Sequence, residues 1–504
     1  MKKYFQHAKH DFPASVVVFL VALPLCLGIA LASGVPLLSG LISGIVGGIV
    51  VGILSKSPLS VSGPAAGLVV IVLNAQETLG SIEGFLLAVL IAGIIQLILG
   101  FAKAGVIGLY FPTSVIKGML AAIGIILIMK QLPYLIGVGG TKLFEINGSV
   151  LSGLSAGSLV VGVASLGILL LWRTSIVQNI GALKAIPGAV AAVVFGVGLS
   201  FLFQAAVPSL ALADSQLVNI PILANSESVS SLIITPDFSM ITNVEVYITA
   251  VTLAIVASLE TLLSVEAVDK LDPLKRRTPT NAELKAQGVG NMVCGLIGGL
   301  PITAVIVRSS TNVDAGARSK MSAIYHGILL VLAVAFFPVA MNTIPLASLA
   351  AILVLIGYKL ARPALWAEQF RTGRAQFVPF ATTIIAILVT DLLIGIIIGM
   401  VVGAFYILRA NYKVPYFYHM EKEDGTGKEH INIRLSEHVS FLNKARLQLA
   451  LEELPAESKV VLDGTYAKEI DHDALEVIHD FKDSTTREKK NIEVTFKNIP
   501  ELVN

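Results

Sequence analysis

Charged residues are scarce in this chain, where they make up 14% of 504 residues, against roughly 25% in soluble domains. Hydrophobic residues reach 55% and the mean hydropathy is +0.81, which excludes an ordinary soluble enzyme and a disordered protein. Cysteine is also rare, and both Cys26 and Cys294 stand in apolar runs. This pattern supports neither a disulfide framework nor a thiolate metal site. The formal net charge of +2 is too balanced for a nucleic-acid binder.

The few charges are unevenly divided along the chain. Residues 1–412 contain 23 Lys+Arg and 16 Asp+Glu, whereas residues 413–504 contain 13 and 18. The first part therefore holds 39 charges in 412 residues and the second holds 31 in 92. This change in composition predicts a transmembrane domain over residues 1–412 and a small cytoplasmic domain over residues 413–504.

Apolar runs in the first part predict fourteen membrane segments. A helix needs about 20 apolar residues to cross the hydrocarbon core. Twelve runs are of roughly that kind, and they cover 14–34, 37–55, 83–102, 114–130, 156–172, 182–203, 242–264, 286–299, 322–339, 346–361, 376–390 and 391–410. Two further segments, 65–76 and 302–313, are too short to cross alone, and each follows a proline.

The distribution of lysine and arginine predicts the orientation of these segments. Residues 204–240 contain neither residue type, whereas the next polar connection contains Lys270, Lys275, Arg276 and Arg277. Positive loops are retained on the cytoplasmic side, so the two connections lie on opposite sides. We expect an inner-membrane protein with an even number of crossings and both termini in the cytoplasm.

The two short segments form an internal repeat. SGPAAGLVVIVLNA begins at Ser62 and GLPITAVIVRSSTN begins at Gly299, and each has a proline, small residues and then a β-branched run. Each is the third segment of a set of seven, so the second set is inverted in the membrane. Interrupted segments at matching positions indicate a transporter binding site. Half-helices that begin near the midplane would direct free N–H groups at an anion.

Two ionisable residues lie deep in the apolar segments. Glu260 stands within VTLAIVASLETLLSVEAV, with Ser264 one helical turn later. A buried carboxylate must be protonated, paired with a cation or coordinated to one. Arg308 stands in the second short segment, where it either pairs with Glu260 or adds positive potential beneath the half-helix N-termini. Thr303 is expected in the first turn of that half-helix, where its hydroxyl lies beside free N–H groups.

The charged tail predicts a small α/β domain. INIRL and NIEVTFKNI alternate as strands do, KVVLDG is typical of a buried strand, and HVSFLNKARLQLALEEL is typical of an amphipathic helix. The tail contains no Gly-rich phosphate loop and no His/Cys cluster. We therefore expect neither an enzymatic site nor a resident cofactor in it.

Several motifs, taken in order, resemble the SulP family of anion transporters. They are FLVALPLCLGIALASGVP, SGPAAGLVV, LETLLS and GGLPITAVIVRSSTNVDAGARS, and the tail motif VVLDGTYAKEIDHDAL resembles the STAS domain that follows the transporter in that family. The resemblance implies a fold of seven plus seven inverted repeats with a core and a gate domain, a homodimer, and an elevator-like movement. The tail has His472 and Asp473 where bacterial signalling relatives carry a phosphorylated serine pair, so a phosphoserine switch is not expected.

The same resemblance implies a set of site residues. The substrate would lie at Ala65, Ala66, Thr303 and Ala304, and the family arginine matches Arg308. Glu260 and Ser264 occupy the places that hold Na⁺ in sodium-coupled bicarbonate members. Those members have Asp in place of Glu260, so coupling to H⁺ stays open beside coupling to Na⁺.

These observations together predict a secondary transporter of a small inorganic anion. Bicarbonate is favoured and sulfate comes next, because paired N–H groups and small side chains suit a compact oxyanion. A nucleobase would need more side-chain hydrogen bonds than Ala65, Ala66 and Ala304 provide. Two alternatives remain open from the sequence, namely a transport-inactive membrane sensor whose tail is the output and a channel-like anion conductor.

Overall fold

The computed structural model describes residues 7–106, 111–138, 154–180, 186–222, 233–412, 416–422, 429–482 and 490–500. The chain divides into two compact units, Met1–Gly399 and Met400–Asn504. The change in composition instead predicted a boundary between residues 412 and 413, at the end of a helix that continues to Tyr412.

Fourteen helices of the described chain correspond to the fourteen predicted segments, and this fold class is confirmed. They are α1 Ala8–Ala32, α2 Leu37–Leu54, α3 Val69–Leu79, α4 Ile82–Phe101, α5 Thr113–Leu135, α6 Ala156–Leu171, α7 Gly188–Ala206, α8 Val244–Leu271, α9 Thr280–Ile297, α10 Ile306–Asp314, α11 Met321–Phe336, α12 Leu346–Leu360, α13 Arg374–Val389 and α14 Leu392–Tyr412. Three short helices, Ser175–Gln178, Pro338–Met341 and Pro363–Thr372, lie between them. The predicted segment 182–203 begins at positions that lie partly outside the described residues.

Length and composition mark most of these helices as membrane spans. Within the described ranges, eight helices are long and apolar enough to cross a membrane, and four more are apolar but shorter. The shorter set includes the first half-helix, Ala66–Leu79, where a 3₁₀ turn over Ala66–Leu68 leads into α3. The helix α9 begins six residues before the predicted start of its segment because Glu283, Gln287 and their neighbours continue the helix with buried polar side chains.

The helices of the first unit pack into two bundles. In one bundle α4 lies against α8 and α9, α11 lies against α1, and α10 contacts α1 and α8. In the other, α5 lies against α12 and α13, and α6 packs against α7 and α12. Each bundle combines helices from both halves of the sequence, which is the arrangement that two inverted repeats of seven segments produce.

A two-stranded sheet joins the two half-helices. The strand β1, Ser62–Pro64, pairs antiparallel with β2, Ile302–Ala304, so that Gly63 lies opposite Thr303. Both strands are completely buried. Extended backbone at this depth needs hydrogen-bond partners because the bilayer offers no water, and each strand supplies them to the other.

The second unit contains the predicted α/β arrangement. Its strands are β3 Tyr416–Lys422, β4 Glu429–Leu435, β5 His438–Val439, β6 Lys459–Asp463, β7 Glu469–Ile470 and β8 Glu493–Lys497, and its helices are α15 Lys444–Glu452 and α16 His472–Lys482. The main sheet has the order β3-β4-β6-β8, with β3 antiparallel and the other neighbours parallel. Leu447 and Leu451 of α15 and Ile478 of α16 pack on the buried side chains of β4 and β6.

Candidate functional site

The second half-helix begins later than the sequence predicts. Val305 has an extended backbone and caps α10, whose first helical residue is Ile306. Thr303 and Ala304 therefore lie in β2 and not in the first helical turn, because Ile302 and Thr303 pair with the strand from the other half of the chain. The Thr303 hydroxyl donates to the carbonyl of Ala304 at 3.2 Å, and the N–H of Ala304 donates to Thr261 Oγ1 at 3.3 Å.

The first half-helix begins at Ala65 and Ala66, as expected. Ala65 has an extended backbone, and the N–H of Leu68 donates to its carbonyl at 3.2 Å. Ala65 is buried, whereas Ala66 is partly exposed. The side chains at this helix start are only methyl groups, so they do not cover its backbone N–H groups.

Free N–H groups mark the start of both half-helices. The first hydrogen bond of α10 runs from the N–H of Ser309 to the carbonyl of Val305 at 3.0 Å, so the N–H groups of Ile306, Val307 and Arg308 have no acceptor among the described residues. The N–H of Ala66 likewise has no acceptor among the described residues. Both helices follow directly from strands that pair with each other, so their positive dipole ends lie at the two ends of one three-residue ladder, and each end favours an anion.

Glu260 lies beside the first of these helix starts. It is a residue of α8, and its carboxylate faces Gly67 so closely that a Cβ atom there would collide with Oε2 and lie 2.9 Å from the carboxyl carbon. Oε2 has no hydrogen-bond partner, and the side chain is only partly buried. Ser264, one turn further along α8, is buried. The structure therefore brings Glu260 to the half-helix, a contact that the sequence does not reveal.

Arg308 lies beside the paired strands and not beside Glu260. Its side chain is fully buried, and a Cβ atom at Gly63 would collide with its guanidinium group. None of its three guanidinium nitrogens has a hydrogen-bond partner within the described chain, and no ion pair joins it to Glu260. The interpretation of Arg308 as a partner of Glu260 is therefore wrong. An unpaired cation at this depth leaves strong positive potential next to the helix N-termini.

A buried polar ladder on α9 supports the site, and the sequence reasoning did not identify it. Asn291 accepts from the N–H of Ile302 at 2.7 Å and donates to its carbonyl at 3.1 Å. Gln287 donates to Ser62 Oγ at 2.6 Å and to Glu283 at 2.9 Å, and Ser55 donates to the same carboxylate. The signal was available as polar residues at spacings of four, Glu283, Gln287 and Asn291, on one face of the helix.

Comparison with known proteins agrees with this fold. The model of the sulfate permease family matches residues 8–383. YvdB of Bacillus subtilis is 26% identical over 412 residues, which cover 80% of this chain and 74% of YvdB. Bicarbonate transporter BicA of Picosynechococcus sp. is 25% identical over 420 residues, which cover 80% of this chain and 70% of BicA.

Two solved structures share the fold at lower identity. Murine Slc26a9, an anion transporter in the inward-facing state, superposes with a TM-score of 0.74 at 16% identity, over 97% of this chain and 85% of that one. The transmembrane domain of a cyanobacterial BicA gives a TM-score of 0.66 at 21% identity, over 78% of this chain and 98% of that domain. The family match covers well over half of the chain. The chain therefore belongs to the sulfate permease family, and it is a multi-pass membrane transporter of anions and not an enzyme.

Proposed function

We propose that the protein is a secondary active transporter of a small inorganic anion, with bicarbonate favoured and sulfate second. The observation that carries the proposal is that two half-helices begin at the ends of one pair of strands, with Arg308 beside these strands and its guanidinium nitrogens unpaired. Free N–H groups and one buried cation form a site that attracts an anion. The substrate residues in this proposal are Ala65, Ala66, Thr303, Ala304 and Arg308.

The small side chains of the proposed site favour a compact oxyanion. Ala65, Ala66 and Ala304 contribute only methyl groups, and the hydroxyl of Thr303 is already bonded to backbone. Recognition therefore depends on backbone N–H groups of the half-helices, which suit a planar or tetrahedral oxyanion better than a larger organic substrate. The names of BicA and of the family supply the two candidates, bicarbonate and sulfate.

Glu260 is the proposed coupling group. Its Oε2 atom lacks a hydrogen-bond partner, and the carboxylate faces the first half-helix. Binding of a cation at this carboxylate and binding of an anion at the proposed site would therefore be linked. A proton on Oε2, or a Na⁺ held between Glu260 and Ser264, would remove the repulsion between the carboxylate and an incoming anion. Both couplings are compatible with this position, and transport with imposed gradients distinguishes them.

The remaining parts of the proposal concern the whole protein. We propose an elevator-type movement of the bundle that contains the half-helices, a homodimer, a STAS-like cytoplasmic tail, and an inner-membrane location with both termini in the cytoplasm. The tail supports this assignment through its four-stranded sheet with helices α15 and α16 packed on β4 and β6. The lysine and arginine distribution supports the orientation.

Uptake into proteoliposomes tests the function. The purified protein should accumulate labelled bicarbonate, or labelled sulfate, when a Na⁺ or H⁺ gradient is imposed. Glu260→Gln should abolish the response to the gradient, whereas Glu77→Gln, which changes an exposed carboxylate at the end of α3, should leave it unchanged. Arg308→Gln should raise the half-saturating anion concentration, and Arg308→Lys should restore part of the affinity.

The outcome that contradicts the proposal is a folded, monodisperse protein that takes up neither anion under any gradient. Net ion current far above the carrier rate would instead favour the channel. Binding of a partner by a chain without uptake would favour the sensor.

A further inference from the structure

A cavity of about 540 Å³ lies where helix ends of the second bundle meet. Lys117 of α5, Arg173 after α6, Lys359 of α12 and Arg362 before the short helix Pro363–Thr372 line it, together with Leu120 and Leu365. All four cations are at the end of the bundle where α6 and α12 finish and α5 begins. This cavity is separate from the half-helices and from every residue of the proposed transport site.

The positive charge in this cavity is not neutralised by the protein. Lys117 pairs with Glu368, with 2.7 Å between Nζ and Oε1. Arg173, Lys359 and Arg362 have no carboxylate within ion-pair distance among the described residues, and Arg173 is close enough to Lys359 to repel it. Four cations and one carboxylate leave three positive charges around one opening. Like charges brought together around one opening repel each other, and a bound anion would remove that repulsion.

Aromatic residues place the cavity at the level of the lipid headgroups. The chain has two tryptophans, and each is the sequence neighbour of a lining residue, since Trp172 precedes Arg173 and Trp366 follows Leu365. Trp172 donates to the carbonyl of Ile186 at 2.9 Å, and the ring of Trp366 packs edge-on against Phe380 with centroids 5.1 Å apart. Tryptophan is enriched at the interface between hydrocarbon and water. The tryptophans therefore indicate that the neighbouring cations lie near the headgroup level.

We propose that this cavity binds the phosphodiester headgroup of an acidic phospholipid. Arg173 and Arg362 would hold the phosphate oxygens through their planar N–H groups, and Lys359 would add a point charge. Leu120 and Leu365 would contact the glycerol and the first methylene groups of the lipid. A free phosphate ester shares the same charge chemistry but gains nothing from these leucines or from the depth of the cavity, so the lipid is the occupant.

Native mass spectrometry of the full-length protein tests this site. The probes are phosphatidylglycerol, phosphatidylcholine and soluble glycerol phosphate, each titrated into protein in the same detergent. We expect retention of about one phosphatidylglycerol per chain, no comparable retention of phosphatidylcholine, and no displacement by equimolar glycerol phosphate. The double variant R173Q/R362Q should weaken phosphatidylglycerol binding at least about tenfold, since it removes two charge-assisted contacts.

The control is the double variant R371Q/R374Q, which removes the same charge from nearby exposed positions outside the cavity lining. An equal loss of binding in the control would overturn the proposal, because the effect would then be one of general surface charge. Equal binding of phosphatidylcholine, or displacement by glycerol phosphate, would also overturn it. If R173Q/R362Q proves unstable, the single variant K359Q, at an exposed position, supplies the same comparison.

Discussion

Gly67 shows how a single residue positions the ionisable group of the site. The backbone of the first half-helix passes so close to Glu260 that any larger residue would displace either the helix start or the carboxylate. Glycine is the one residue that permits this approach, because it has no Cβ atom. The distance between the carboxylate and the anion site therefore depends on Gly67 as much as on Glu260.

Gly67→Ala is expected to reduce transport without unfolding the protein. The added methyl group displaces the carboxylate from the half-helix, and misplacement of about 1 Å near a reacting group costs roughly tenfold or more in rate. Gly167→Ala in α6 is the matched control, since nothing lies within 4 Å of a Cβ atom there. The measurements are the initial uptake rate and the thermal unfolding midpoint. Equal uptake by the two variants would contradict the role of this contact.

Single residues of the site differ in how far the sequence predicts them. Glu260 and Arg308 were identifiable because charges are rare and costly in apolar segments. The residues that they contact were not identifiable, because Gly63 and Gly67 approach them only through tertiary packing. The absence of an ion pair between Glu260 and Arg308 follows from the same packing, which places Glu260 beside the first half-helix and Arg308 beside the paired strands.

The strands β1 and β2 connect the two half-helices, and Asn291 holds β2 in place. Its side-chain amide bonds both the N–H and the carbonyl of Ile302 and also donates to Gln96 at 2.7 Å. A second amide makes the same kind of contact in another part of the chain, where Asn342 accepts from the N–H of Ile220 at 2.8 Å and donates to its carbonyl at 2.9 Å. The two contacts allow a direct comparison.

Asn291→Ala should lower both the stability of the protein and its anion affinity. It leaves the buried N–H and carbonyl of Ile302 without these partners, which costs about 2–5 kcal/mol of unfolding free energy, and it releases β2 from its fixed position. Asn342→Ala should lower stability by a similar amount and leave affinity unchanged. Denaturant unfolding and the half-saturating anion concentration for uptake check the pair. A loss of affinity in both variants would show that stability alone explains the effect.

Whole helices were more predictable from the sequence than the elements between them. The apolar length of a span fixes the bounds of α4 closely, since it was predicted at 83–102 and found at Ile82–Phe101, whereas α8, predicted at 242–264, is found at Val244–Leu271 because its last turns are polar. Thr303 was expected in a helix because a local pattern cannot show that Ile302–Ala304 has a strand partner more than 200 residues away. The start of α9 was predicted too late, because polar residues in its first turns are buried but do not resemble part of a membrane segment.

At the scale of the whole molecule, the proposed movement requires the two bundles to slide against each other. One contact between them is the approach of α1 to α12, where a Cβ atom at Gly28 would lie 3.2 Å from two carbon atoms of the Leu353 side chain. In contrast, α6 and α12 belong to one bundle, and the hydroxyl oxygens of Ser165 and Ser348 on these helices lie 2.9 Å apart. These two sites distinguish motion between bundles from motion within one.

A disulfide between the bundles should stop transport. Oxidation of the double variant Gly28→Cys/Leu353→Cys is expected to reduce uptake to background, and reduction should restore it. The double variant Ser165→Cys/Ser348→Cys should keep its uptake after oxidation, since its two helices would move together. Uptake with and without a reductant is the measurement, with mass analysis to confirm each crosslink. Full uptake by the crosslinked first variant would contradict an elevator movement.

The pairing of Ser62 with Ala304 also has a consequence for how the protein is made. The first strand leaves the ribosome about 240 residues before its partner, which at roughly 5–20 residues per second is a delay on the order of tens of seconds. During that time its peptide groups cannot form their final hydrogen bonds, and the first seven segments cannot complete their half of the carrier. Assembly of the transport bundle is therefore a late event in biosynthesis, and truncated chains that end before Ile302 should be substrates for membrane quality-control proteases.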